Sequence, residues 1–237
     1  MTTTQSAYFD VIETAIKSQP RTLQLEIGPS EIGTSCEHCL AAKLAGWPQA
    51  GEAAWLPFIG TAVHAALEEM FQPPRWLTET RVSVGFIAGK EIHGTSDLFD
   101  TVEGVVVDHK VAGATTLKSA KGGPSKVYEA QAHLYGLGQM RAGRAVKNVA
   151  VSYLPRNAVS VRQGVWWEVP FDAILAVDAL DRATDIANTV LALPEDKRAD
   201  YISNLPRAKG CYDCPRYADW GHPVPELPTL DELLGVG

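Results

Sequence analysis

The chain has no cysteine outside two short pairs, no apolar run of membrane-spanning length, no internal repeat and no low-complexity tract. A helix needs about 20 apolar residues in succession to cross a bilayer, so no membrane-spanning segment is expected. Met1-Thr2-Thr3-Thr4-Gln5 carries neither the charged nor the apolar part of a secretory leader, and a cytoplasmic location is expected. Basic residues are outnumbered, 21 against 28 acidic, for a net charge of −7. That balance argues mildly against non-specific nucleic-acid affinity, which basic patches drive. A metal site or local lysines can overrule it, and part of the excess sits in the tail at Glu226, Asp231 and Glu232. What remains is ordinary globular composition, 46% hydrophobic and 21% charged over 237 residues, enough chain for one sizeable core.

The four cysteines occur as Cys36-Glu37-His38-Cys39 and Cys211-Tyr212-Asp213-Cys214. In an intracellular chain such pairs read as a shared metal or cluster site rather than a disulfide framework. Scattered buried thiols would make the two-by-two arrangement a coincidence. A redox pair would want a strand-to-helix context, which neither pair has.

Hydrophobic spacing predicts helices over 5–18, near 30–46, over 58–71, 125–142 and 171–193, with Pro20 and Pro73-Pro74 as stops. Strands are expected at Trp76–Phe86, Glu91–Thr101, Gly104–Lys110, Val146–Leu154 and Val165–Val169. A Gly- and Lys-containing loop is expected over 112–124, and irregular Pro-rich chain after 193. The order implies a mixed α/β fold with helices packed around a central sheet.

The hairpin Glu91–Val111 is where chemistry first shows. Val105-Val106-Val107 reads as a buried strand that delivers Asp108 and Lys110, two residues apart and so on one face of the sheet. Gly94-Thr95-Ser96-Asp97 places a second acid on the strand before it. Buried carboxylates are costly unless paired or bound to metal, so the hairpin suits a cation held beside a lysine. The plainer alternatives are Asp97 as a turn residue and Lys110 paired with Asp108 at the surface. Upstream, His64 lies one turn after Gly60 on a helix, with Glu68 a turn further; downstream, Gln131 and Tyr135 share a helix face. Singly, each of these reads better as packing.

Together, GxxxH, GxxD, DxK and QxxxY in that order resemble the RecB-like branch of the PD-(D/E)XK nuclease superfamily. The likeness is strongest to CRISPR-associated RecB-like exonucleases and their phage-encoded relatives, and it covers about residues 30–220. The resemblance implies a restriction-endonuclease-like α/β core, with a central mixed sheet flanked by helices and the N- and C-terminal segments joined by a four-Cys metal site. It implies one nuclease domain across 1–237, with a core at 55–190, cysteine-bearing flanks at 30–46 and 205–222, and a flexible tail at 223–237. His64, Asp97 and Asp108 would bind Mn²⁺ or Mg²⁺ with the carbonyl of His109, the imidazole favouring Mn²⁺. Lys110 would sit beside the attacking water and the phosphate, with Gln131 and Tyr135 orienting it or touching DNA; Glu68 matches no family ligand.

Many relatives hold a [4Fe-4S] cluster through one cysteine before the core and three after it. Here the third C-terminal position is Trp220, and Cys39 supplies the missing thiol. Cys36, Cys39, Cys211 and Cys214 are therefore expected to hold a [4Fe-4S] cluster, with structural Zn²⁺ as the alternative. The implied activity is metal-dependent exonuclease action on DNA, from single-stranded ends, in replication, recombination or repair. A structure- or site-specific endonuclease on the same fold is the alternative, with a non-catalytic DNA-binding accessory protein behind it. DNA contacts are expected from Lys118, Lys121 and Lys126 or a solvated loop, and Trp166-Trp167 should turn one ring outward.

Overall fold

Five strands form one sheet in the order β1 (Trp76–Ile87), β2 (Lys90–Asp100), β3 (Val105–Ala112), β4 (Asn148–Pro155) and β5 (Val165–Pro170). The computed structural model describes residues 3–17, 26–50 and 55–218, so Trp220 and the tail at 223–237 lie outside the described residues. Pairing is antiparallel for β1–β2, β2–β3 and β4–β5, and parallel for β3–β4. A parallel pair needs a crossover, which α5 (Ala114–Ala120) and α6 (Lys126–Arg141) supply. The expected class, a mixed α/β sheet flanked by helices with the two cysteine flanks brought together, is what the chain forms.

The helix α6 is the hub. Ser125 caps it by accepting the Tyr128 N–H, and every residue from Ala130 to Gln139 is buried. Ten successive buried residues leave no solvent face over those turns, Gln131, His133 and Gln139 included; α6 packs against β1, β4 and α7 (Ala173–Leu191). Around it Val82, Val84, Val106, Leu134, Val149 and Val151 are buried, each contributing roughly 1.5–3 kcal/mol. The helix α4 (Trp55–Met70) buries no residue and leans on β3. That position brings His64 of α4 to the β3 backbone at His109.

Three expectations fail locally. The single helix near 30–46 is two, α2 (Pro29–Ile32) and α3 (Glu37–Leu44). Cys36 is extended (φ −87°, ψ 104°) as the cap of α3, which turns its thiol towards Cys214, and Arg182 donates to the carbonyls of Ile32 and Thr34 freed by the break. The loop at 112–124 contains α5, because Leu117 and Ala120 pack into the core. The chain after 193 contains α8 (Glu195–Asn204), started by Pro194 and two acids in the first turn and anchored by buried Ile202. The remaining boundaries shift by a few residues; Trp55 rather than Phe58 opens α4, with Pro57 tolerated in its first turn.

Candidate active site

The β2–β3 ladder pairs Asp100 with Val105, Phe99 with Val106 and Leu98 with Val107, and stops there. The next opposed residues are Asp97 and Asp108. Where the strands part, the His109 N–H has lost its ladder partner and donates to Asp97 Oδ2 at 2.7 Å. Buried backbone groups need partners, so the Asp97 carboxylate completes the sheet and opens a slot beside it. The turn role that Asp97 might have filled belongs to Asp100, which accepts the N–H groups of Val102 and Glu103 and hydrogen bonds from Nε and Nη2 of Arg75.

His64 reaches into this slot from α4. Its Nδ1 lies 3.5 Å from Asp97 Oδ1 and 4.0 Å from Glu79 Oε1, and its Nε2 is 3.1 Å from the His109 carbonyl. Both ring nitrogens face acceptors, and the Asp97 carboxylate raises the His64 pKa despite burial. Burial alone would push Asp97 up, but the His64 ring and the His109 N–H hold it below its ordinary value. The imidazole proton supplies positive charge where several acceptors converge, and a cation could take over that charge.

Glu79 was not among the expected site residues. It sits on β1 between Thr78, which pairs with Leu98, and Thr80, which pairs with Ser96, so it faces Asp97 across the ladder. Its φ of 44° is rare for a non-glycine residue. Glu79, Asp97 and Asp108 thus occupy one level on three neighbouring strands. His64, Glu79 and Asp97 offer ligand atoms within 4.8 Å of one another. Asp108 lies beside this trio, not within it, and Glu68 borders the same cleft from α4. The only sequence signal for Glu79 was an acid between two threonines of a strand.

Asp108 is 1% exposed. Its Oδ2 is 2.7 Å from Lys110 Nζ, but neither carboxylate oxygen receives a well-aligned hydrogen bond. Burial raises its pKa to about 6 against the pull of the lysine charge. A buried carboxylate this poorly served by donors is suited to a cation. Lys110 also donates to Gln131 Oε1 at 3.0 Å and lies 4.8 Å above the Tyr128 ring. Gln131 therefore orients the lysine, and Tyr128, unforeseen in the sequence, supports it. Tyr135 instead borders the cleft beside Gly94. His109 contributes backbone only; its ring stacks on Phe71, and burial pushes its pKa down.

Gly94 shows why the GxxD motif opens on glycine. A Cβ there would lie 2.6 Å from Pro29 Cγ and 2.9 Å from Tyr135 Cε1. Gly94→Ala should cost about 1–3 kcal/mol, read as a lower urea midpoint at unchanged slope; an unchanged midpoint would show that Pro29 yields freely.

Two clefts, of about 690 and 660 Å³, meet at His64 and Lys110. The first is bordered by Tyr128, Tyr153 and Arg156. The lysines weighed as DNA contacts or solvated chain do not line either cleft: Lys118 is on α5, Lys121 caps it, and Lys126 pairs with Glu129 at 2.7 Å. Trp166 does turn outward, donating to Glu168, in a groove away from the site.

The cysteines converge near the C-terminal end of α7, in a cluster with Val190 and Ile202. Sγ–Sγ distances are 3.4 Å for Cys36–Cys214 and Cys39–Cys214 and 3.6 Å for Cys39–Cys211, and all four sulfurs lie within 4.8 Å of one another. Burial disfavours a charged Cys36, yet backbone hydrogen bonds from Cys39 and Ala208 bring its pKa below the ordinary value. His38 Nδ1 is 3.8 Å from both Cys39 and Cys214 Sγ, its ring held edge-on by Trp47 and Tyr217.

No protein-family model and no curated protein matches the chain. Solved structures are similar in chain course. The alkaline exonuclease LHK-Exo from Laribacter hongkongensis is 12% identical over 75% of this chain and 90% of its own, with a TM-score of 0.48. SSO0001 is 16% identical over 82% and 88%, with a TM-score of 0.47. A protein provisionally named an exonuclease from Eubacterium rectale is 11% identical over 93% and 97%, with a TM-score of 0.49. At these identities the chemistry has to be read from the residues.

Proposed function

We propose that the protein is a single-domain, divalent-metal-dependent nuclease that hydrolyses DNA from single-stranded ends, in replication, recombination or repair. The observation that carries this reading is Asp108, buried with both oxygens lacking aligned donors, between a fixed lysine and a trio of His64, Glu79 and Asp97. Asp97, Asp108, His64 and the His109 carbonyl would hold Mn²⁺ or Mg²⁺, with Glu79 facing the same position. The ion would supply Lewis-acid charge that activates water and polarises the phosphate.

The chain's own groups do the rest. Lys110, held by Gln131 and Asp108, presents a fixed positive charge to the phosphate as water oxygen attacks phosphorus and the P–O bond to the leaving sugar breaks. Asp97 keeps the slot open by taking the His109 N–H, and His64 bridges α4 to the strands. Arg156, exposed at the cleft, would pair with a flanking phosphate, and the edge of Tyr128 would line the path of an unpaired strand. Among the described residues no helix is long and apolar enough to cross a membrane.

The test is cleavage of end-labelled linear DNA, single- and double-stranded, beside a covalently closed circle. Linear single strands should shorten with Mn²⁺ or Mg²⁺ and persist with chelator, and the circle should survive. A cut circle would make the enzyme an endonuclease; no cleavage with either ion would remove the nuclease reading.

A further inference from the structure

The four cysteines are spaced for one ion. We infer that they hold a single tetrahedral Zn²⁺, not the four-iron cluster that the resemblance implies. Zinc–thiolate bonds of about 2.3 Å place sulfurs about 3.8 Å apart at the corners of a tetrahedron. The observed Sγ–Sγ distances of 3.4, 3.4 and 3.6 Å are near that edge. A four-iron cube carries each thiolate outside one of its corners, which sets the sulfurs about 6 Å apart. Here no pair exceeds 4.8 Å, so the thiolates leave no room for a cube of eight iron and sulfide atoms.

The surroundings hold that spacing. Cys36, Cys39 and Cys214 are buried with Trp47, Val190, Ile202 and Tyr217 in one apolar cluster. Tyr217 OH donates to the Cys39 carbonyl and the His38 N–H donates to the Pro206 carbonyl, tying the two cysteine segments together around the sulfurs. A cube would need the thiolates roughly 2 Å or more further apart than this cage sets them. The donor set agrees: two CxxC pairs match zinc's tetrahedral preference, and the third C-terminal thiol of the cluster-bearing pattern is Trp220.

The ion would join residues up to 178 positions apart. It would also brace α2, whose Pro29 packs against Gly94 at the cleft. The inference is independent of the nuclease reading, since the thiolates lie outside the clefts described above.

The experiment is metal analysis of full-length protein expressed with both iron and zinc supplied and purified without oxygen. The expected result is colourless protein with about one zinc per chain and no acid-labile sulfide. Replacement by Co²⁺ should then give the thiolate-to-cobalt charge-transfer band and intense visible bands of a tetrahedral sulfur site, absent from Cys39→Ser/Cys214→Ser. The spectrum identifies thiolate ligation, so zinc on the carboxylates cannot mimic it. Brown protein with iron and sulfide in equal amounts would overturn the inference. So would failure to take up either Zn²⁺ or Co²⁺ at the cysteines.

Discussion

Lys110→Ala should lower the rate of phosphodiester cleavage by about three orders of magnitude, the scale of losing a positioned charge at a developing anion. The fold should survive. Removing Lys110 withdraws the charge that holds the Asp108 pKa down, so Asp108 takes up a proton instead of staying charged and buried. That limits the cost to about 1–2 kcal/mol, or a few degrees in thermal midpoint for a chain this long. Lys110→Met, which keeps the stem over Tyr128, should be as inactive and closer to wild type in stability. Wild-type rates in both variants, measured with saturating Mn²⁺, would remove Lys110 from the chemistry.

Asp108→Asn should make the metal-free protein more stable and inactive. Burial raises the Asp108 pKa from an ordinary 3.8 to about 6, so its ionised form is disfavoured in the folded state. The sign follows: the group's contribution is fully present below about pH 4 and is lost as pH rises through about 6. Asparagine does not titrate. Its advantage should be small near pH 4, grow up to about pH 6, and reach about 3 kcal/mol at pH 7. Thermal denaturation in chelator at pH 4 and pH 7 reads this directly. Adding Mn²⁺ at pH 7 should reverse the order, because the ion stabilises the wild type by binding its folded state and has lost a ligand in the variant. A variant whose advantage over wild type is no larger at pH 7 than at pH 4, or one still cleaving DNA with Mn²⁺, would show that Asp108 is not the strained carboxylate of the site.

Much of the centre was legible because its parts lie close in sequence. Asp108 and Lys110 share a face through the two-residue period of a strand, and their observed 2.7 Å contact follows from it. Of the two residues expected to orient the lysine or touch DNA, Gln131 accepts from Lys110, and Tyr135 stands at the cleft wall against Pro29 and Gly94. Glu79 was missed because an acid flanked by threonines on a strand is the pattern of a solvated face. Only the register with β2 puts it opposite Asp97. The helices α5 and α8 were missed for a related reason. Gly113, Lys118 and Lys121, or the polar run at 195–204, argue locally for loop, and burial of Leu117, Ala120 and Ile202 outweighs that preference.

The cysteine flank shows the reverse: a local preference for one helix over 30–46 gave way to an extended Cys36, because a thiol 178 residues away had to be met.

By itself, then, the sequence determined the kind of site: which donors are present, the hairpin that carries two acids and a lysine, and the two cysteine pairs. The tertiary structure decided the quantities on which chemistry turns. These are the parting of β2 from β3 at Asp97 and Asp108, the place of Glu79, the desolvation of Asp108, and the spacing of the four sulfurs. The physical reason is that residue type and short-range period are local, whereas register, burial and ligand spacing depend on segments far apart in the chain.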